Sequence, residues 1–355
     1  MSEKIRTRKG DGECVQMEAI DIKEDIAAGT QDASRKAKIP ALSGEDQEKL
    51  YNIIADPSKI VSVSPGEEVI VTDDGGTMSF YTCQDGGGVG IPLSRMQAIL
   101  VYERAAGADT VSMGHSDYSF KPIKPIINFE MNDYYTTSMM TTVPFFYGAQ
   151  PNMGLYYQPD GPCPNPADLM PAGKIKEARE SQEKASEYLK KDLVFICKKM
   201  ASVGCEGLNF DTSGSAGDAD FLAALEAVRE LKRELPHMPI IMGSANEFVL
   251  GMHGAVTFDG MRLAGMYPHQ QVKAVEAAGG DIFGVAIGTN TNESTAWNLA
   301  RTLTFLKETV KVAKIPVHAN VGMGVGGVPM MESPSPDTVT RVSKALVQIG
   351  GLDGL

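Results

Sequence analysis

Residues 315–355 read IPVHANVGMGVGGVPMMESPSPDTVTRVSKALVQIGGLDGL, and this stretch decides the fold. Ile315 to Val321 is an apolar strand leading into a glycine-rich loop. Ser335 stands at a helix N-cap with Pro336 at the first helical position. Val339, Val342, Leu346 and Ile349 then recur at helical spacing until Gly350 and Gly351 stop the turn. LDGL opens something further. Three earlier segments show the same step of helix, glycine, one residue, acid and apolar strand: AAGADTVSMG (Gly107, Asp109), SVGCEGLNFD (Gly204, Glu206) and AAGGDIFGVA (Gly279, Asp281). Gly351 and Asp353 make a fourth. In this register Leu355 aligns with Val111, Leu208 and Phe283, and the position after it aligns with Ser112, Asn209 and Gly284. Side chains alternate along a strand. With Leu208 and Phe210 facing helices, Asn209 and Asp211 face inward. The chain as given is therefore expected to stop just short of an inward-facing position.

Composition bounds the function classes. A chain of 355 residues with 43% hydrophobic content can bury a large core. A net charge of −12 and a pI near 5.0 disfavour nucleic acid and anionic membranes as partners. The charged N-terminus lacks the apolar core of a signal peptide, and no apolar run approaches a membrane span. Five cysteines (Cys14, Cys83, Cys163, Cys197, Cys205) without a CxxC pair point to a reducing cytoplasm.

Two parts are expected along the chain. Residues 1–90 read as an N-terminal arm, helix and β-hairpins, and residues 91–355 as the main domain. The arm is polar, with a short amphipathic helix near Ile20 to Ala28. Ser43 with Asp46 forms a capping box for a helix ending at Ala55. KIVSV, EEVIVT and TMSFYT then alternate with period two, divided by turn sequences, as a small antiparallel sheet does. Beyond them helix and strand alternate. Strands are expected at Thr110–Gly114, Val143–Ala149, Gly207–Asp211, Pro239–Gly243, Val256–Ala264, Asp281–Ile287 and Val317–Val321, with helices over Pro166–Ser202 and Thr295–Ala313. Polar residues gather after nearly every strand, which favours an α/β fold of the (β/α)8 TIM-barrel type over a doubly wound sheet with one switch point. On this reading the chain lacks the last strand and the C-terminal part.

In such barrels chemistry sits at the strand ends. His115 and Asp117 follow the first strand, and Tyr147, Gln150 and Asn152 belong to the second. Asn209, Asp211 and Thr212 belong to the third; Ser244, Asn246 and Glu247 to the fourth; Asn290, Thr291 and Asn292 to the sixth; His318 and Asn320 to the seventh. Asp211 and Glu247 are candidates for a general acid and its charge partner, or else cap the following helices. His318 is a candidate hydrogen-bond donor to substrate, or a satisfied core residue. Tyr147, Tyr156 and Tyr157 are either a cation–π cage or ordinary loop packing, and His253 and His269 are interface residues or solvated ones. GMGVGG (Gly322–Gly327) matches GxGxxG, but no helix opens directly after it, so it fails the dinucleotide context. Gly322 and Gly324 are instead candidates for close approach to a bulky ligand. DTSGSAGDAD (Asp211–Asp220) would be an anion site if Asp218 and Asp220 did not oppose one. No zinc-ligand spacing is present.

These residues resemble the dimethylamine:corrinoid methyltransferases. The similar stretches are IPALS, GVGIPLSR, ERAAGADT, GHSDYSFKP, FFYGAQPNMGLYYQPDGP, NFDTSGSAGD, VLGMHG, YPHQQ, TNTNESTAWNLAR and VGMGVGGVPMMESPSPDTVTR. The resemblance implies a pyrrolysine, read from an in-frame amber codon, at the position after the segment matching GGLDGL. It implies methyl transfer from dimethylamine to the Co(I) corrinoid of a cognate corrinoid protein, in methanogenesis or methylamine catabolism. The cobalamin-type cofactor would come from that partner, with none bound tightly by this chain, and a cytoplasmic homo-oligomer is expected. Asp211, Glu247 and His318 are then candidates for protonating and holding the nitrogen. A chain ended at the amber codon is expected to be inactive, at most binding the corrinoid protein. A barrel aldolase would want an interior strand lysine, and the assigned strands hold none.

Overall fold

The computed structural model describes residues 4–69, 77–81, 88–92, 146–148 and 153–355, apart from positions 203, 206, 245–248, 252–253, 289–290, 320, 322–323, 325 and 331–334. The polar arm folds before any helix begins: β1 (Ile5–Arg8) and β2 (Cys14–Met17) pair as an antiparallel hairpin. The helix that follows, α1 (Ala19–Ala37), outruns its amphipathic segment because Gly29, Thr30 and Ala33 carry a buried face of small residues past Ala28. Its successor α2 (Gly44–Ala55) starts at the Ser43–Asp46 capping box, as expected. Of the three alternating segments, TMSFYT contains a strand, β3 (Thr77–Tyr81), paired antiparallel with β4 (Gly88–Pro92). Residues 59–63 and 67–69 are irregular instead, and 70–72 lie outside the described residues.

Helix and strand then alternate: β5 (Phe146–Gly148), α3 (Pro166–Leu169), α4 (Ile175–Ser202), β6 (Gly207–Ser213), α5 (Asp218–Glu234) and β7 (Ile240–Ser244). The expected strand over Val256–Ala264 is replaced by a small hairpin, β8 (Thr257–Phe258) with β9 (Met261–Arg262). Asp259 and Gly260 take φ of 49° and 77°, and this Asp-Gly turn folds the segment back on itself. The alternation resumes with α6 (Pro268–Ala278), β10 (Ile282–Val285), α7 (Thr295–Val312), β11 (Val317–Ala319) and α8 (Pro336–Gln348). The segment Thr110–Gly114 lies outside the described residues.

The main sheet runs β11-β10-β7-β6-β5, every pair parallel. Apart from the local β8–β9 hairpin, each strand lies beside the next one in the chain. This is the order of a β/α barrel, and no reversal marks a switch point among the described strands. After α8 the chain returns to the same edge, where Gly354 bridges His318 in parallel.

The repeated helix–glycine–acid step has a structural reason. Gly204, Gly279 and Gly351 all take left-handed φ (94°, 94° and 73°), which ends each helix and turns the chain into the sheet. After Gly279 and Gly351 the acid two residues on grips the preceding strand, while Glu206, two residues after Gly204, lies outside the described residues. Asp281 donates its N–H to the Ile240 carbonyl (2.9 Å), and its carboxylate accepts the Ile240 N–H (2.8 Å). Asp353 does the same to Val317, at 3.0 and 2.8 Å. Each acid closes the first open N–H of the strand before it and sets the register of the strand about to form. Leu208, Phe210, Met242, Phe283 and Val317 are all but fully buried on the outer face of that sheet.

The N-terminal helices join the same core. α1 lies along α7, where Thr30 and Thr304 share a buried hydroxyl hydrogen bond of 2.8 Å and Asp32 meets Arg301 at 3.2 Å. Ile22, Ile26, Leu50 and Ile54 pack into one apolar cluster with Leu299, Leu303 and Leu346.

Replacing Asp353 or Asp281 by alanine leaves a strand N–H without its acceptor, and each is expected to cost about 1–3 kcal/mol in urea-unfolding free energy. The two losses should be similar, because the Lys232–Asp281 pair is partly exposed and adds little. Unfolding midpoints unchanged from the parent would show that the brackets do not hold the register.

Candidate functional site

Strand register assembles the interior. Asn209 stands level with Ile241, and Ile241 with Ile282. In the next inward row Gly243 pairs with Gly284, Gly284 with His318, and His318 with Gly354. Asn209 and His318 therefore point away from the helices, as the alternation of the sequence requires. The strand β6 continues through Asp211, and its pairing with β7 shifts between Phe210 and Ser213. That bulge comes at the point where the strand leaves the sheet for the site face.

His318 owes its place to its neighbours' missing side chains. A Cβ on Gly284 would stand 2.7 Å from His318 Nε2 and 3.1 Å from Cε1, so the ring lies across that glycine. The same Cβ would meet the Gly243 Cα at 2.9 Å. Two adjacent inward glycines thus make room for one imidazole, and their only trace in the sequence is a glycine at the same inward place of two strands. One part of the ring remains open, while Nδ1 is covered and has no hydrogen-bond partner among the described residues. Burial pushes the His318 pKa down to about 4, so the ring is neutral at pH 7. A neutral imidazole accepts or donates one hydrogen bond but is no cationic acid. The covered Oδ1 of Asn209 likewise has no partner among the described residues.

The other candidates separate into those the structure places and those it does not. Gly324 is buried, takes a φ of 79°, and donates its N–H to the Pro329 carbonyl at 3.2 Å. Gly326 donates to the Ile287 carbonyl at 3.0 Å, tying this loop to the one after β10. Of the three tyrosines, Tyr147 lies on β5. Tyr156 is buried; its hydroxyl donates to Asp192 (2.8 Å) and its ring stacks on Tyr188 at 6.0 Å. Burial also holds the Tyr157 hydroxyl up at about 12. Those contacts pack Tyr156 against α4, as the loop-packing reading expects. Asp220 accepts hydrogen bonds from the Ala216 N–H (3.1 Å) and the Ser215 hydroxyl (3.3 Å), filling the helix start with the protein's own carboxylate. His269 stacks on Tyr267 at 6.3 Å, and burial lowers its pKa. His115, Asp117, Gln150, Asn152, Asn246, Glu247, His253, Asn290, Asn320 and Gly322 lie outside the described residues.

Among the described residues no group of three or more His, Cys, Asp or Glu is placed to hold a metal ion. No helix among them is long and apolar enough to cross a membrane. Comparison with protein families finds a match over residues 3–355 to the model described as dimethylamine methyltransferase.

Two outcomes follow from the His318 environment. Its pKa lies near 4 when folded against 6.5 when free, so on acidification the unfolded chain binds the proton first. His318 therefore opposes folding increasingly from about pH 6.5 down to about pH 4, by roughly 3 kcal/mol at the acid limit, and not above that window. His318→Gln should flatten the stability-versus-pH slope by up to one proton between those limits, as read from urea midpoints at stepped pH. Separately, Gly284→Ala should destabilise by about 1–3 kcal/mol through overpacking. His318→Ala in the same chain should recover part of that loss, and strict additivity of the two changes would show that the ring and the glycine do not meet.

Proposed function

The chain belongs to the dimethylamine methyltransferase family, and from that premise we propose that it moves a methyl group from dimethylamine to the Co(I) corrinoid of a cognate corrinoid protein, releasing monomethylamine. The observation that carries this reading is the match of the family model to residues 3–355, nearly the whole chain. The sheet supports it. Five parallel strands in chain order are taken to belong to a closed (β/α)8 barrel, with the site at the strand ends.

The chemistry asks two things of the protein. The C–N bond breaks with its electron pair kept by nitrogen, so the nitrogen must first be protonated or covalently held. The corrinoid, when bound through its own protein, supplies the nucleophile's electron pair. A pyrrolysine at the position the family places after the segment matching GGLDGL would supply an imine for the amine. Register supports that position: Gly354 pairs with His318, so the place two residues on from Gly354 turns to the same inward face. The inner wall fits such a group, since Gly243, Gly284 and Gly354 carry no side chain and His318 carries no charge at neutral pH. A substrate ammonium then meets no repelling cation among the described residues of this row. His318 and Asn209 are assigned to orienting the nitrogen by hydrogen bonds, and His318 is not assigned to protonating it, because its ring is neutral above about pH 4. Protonation falls to Asp211 with Glu247 as charge partner. Each of these groups works by positioning and electrostatics.

The test is transfer by the native protein, given dimethylamine and the corrinoid protein reduced to Co(I). Methylated corrinoid should appear in the absorbance spectrum, with one monomethylamine released per methyl group. Native, folded protein that methylates no corrinoid from dimethylamine would overturn the reading. His318→Gln and Asp211→Asn should each lower kcat/KM by about 10–100-fold with folding retained. Unchanged transfer in either variant would remove that residue from the account.

A further inference from the structure

The N-terminal hairpin, which the proposed chemistry does not use, reaches onto the site face. Its tip, Lys9–Glu13, closes on a Lys9 N–H to Glu13 carbonyl bond of 3.0 Å and a Gly12 N–H to Lys9 carbonyl bond of 2.9 Å. Gly10, at that tip, bonds in two directions. Its N–H donates to the Glu293 carbonyl at 2.9 Å, in the loop that follows β10. Its carbonyl accepts the Met330 N–H at 2.8 Å, in the loop that follows β11. There is no space for a side chain, since a Cβ on Gly10 would fall 1.6 Å from the Thr291 carbonyl oxygen. Lys9 bridges Ser294 in antiparallel fashion, and the Thr295 hydroxyl donates to the Arg8 carbonyl at 3.0 Å.

Arg8 secures the other side of the wedge. Its guanidinium donates to the Gly12 carbonyl (2.9 Å), the Ser335 hydroxyl (3.0 Å) and the Asp337 carboxylate (3.2 Å). One side chain thereby joins the hairpin's own turn to the first residues of α8. The planar fork is what allows three partners at once, and a lysine could not reproduce it.

We infer that the hairpin tip is a wedge that fixes the spacing of the loops after β10 and β11, with Gly10 and Arg8 as positioning residues for the mouth of the site. Those loops flank the strand that carries His318, and loops at strand ends form the working face of a β/α barrel. In the methyl-transfer reading, on which this last step rests, the wedge holds the rim against which the corrinoid protein seats.

Hydrogen–deuterium exchange on the full chain tests the wedge without any assay of activity. Gly10→Ala must push the tip outward, and exchange in peptides covering residues 287–294 and 322–335 should quicken at least ten-fold, while peptides from α4 keep their parent rates. Arg8→Lys should quicken the 322–335 peptides by a smaller factor. Parent rates at both loops in Gly10→Ala, or equal quickening in α4, would overturn the inference. In the transfer assay, Arg8→Lys should raise KM for the corrinoid protein about ten-fold and leave kcat within two-fold; a fall in kcat with no change in KM would overturn the rim's role. Should the parent protein transfer no methyl group, the functional reading fails while the exchange result still decides the wedge.

Discussion

Two carboxylates hold the sheet to one register. Asp281 and Asp353 each accept the first N–H of the preceding strand while donating their own N–H to its carbonyl. Everything inside the sheet depends on this grip, because a slip of one residue would exchange inward and outward faces along a whole strand. Phe283 and Val317 would then leave their places under the helices, and His318 would turn out of the interior. The energy of each grip is small, on the order of one to a few kcal/mol. Its informational effect is large, since it selects which of two faces turns inward.

The repeat that carries these acids was visible in the amino-acid sequence, and so were the strands and caps around it. Ser43, Pro336, Gly279 and Gly351 are local signals, and local signals are what sequence periodicity reports. The N-terminal hairpin was not legible for the opposite reason. IRTR and CVQM are four-residue strands without a clear apolar alternation, held by contacts to Ser335 and Asp337 more than three hundred residues away. Val256–Ala264 misled because its apolar residues suit a strand, while the Asp259–Gly260 turn in its middle decides the outcome. KIVSV alternates like a strand yet forms none in the structure, where the Val61 N–H goes to the Thr340 hydroxyl on α8 instead of to a ladder.

The candidate site shows the same division. His318 and Asn209 were found as inward positions by counting along their strands. The protonation state of His318 could not be counted, because it arises from burial among segments distant in the chain. Gly243 and Gly284 are ordinary in their own segments, and only the pairing of β7 with β10 turns them into the space that the ring occupies.

The packing of α1 along α7 bears on how the chain is made. Thr30 and Thr304 are 274 residues apart, yet they share a buried hydrogen bond. A ribosome adding ~5–20 residues per second needs roughly 15–55 s to make the intervening chain. During that interval α1 can pack on α2, which shares the cluster of Ile22, Ile26, Leu50 and Ile54, but not on α7. The seam between α1 and α7 therefore closes only once the residues between them are made. Until then the side of α1 that meets α7 stays uncovered, and chaperone binding to that side would have its greatest value there.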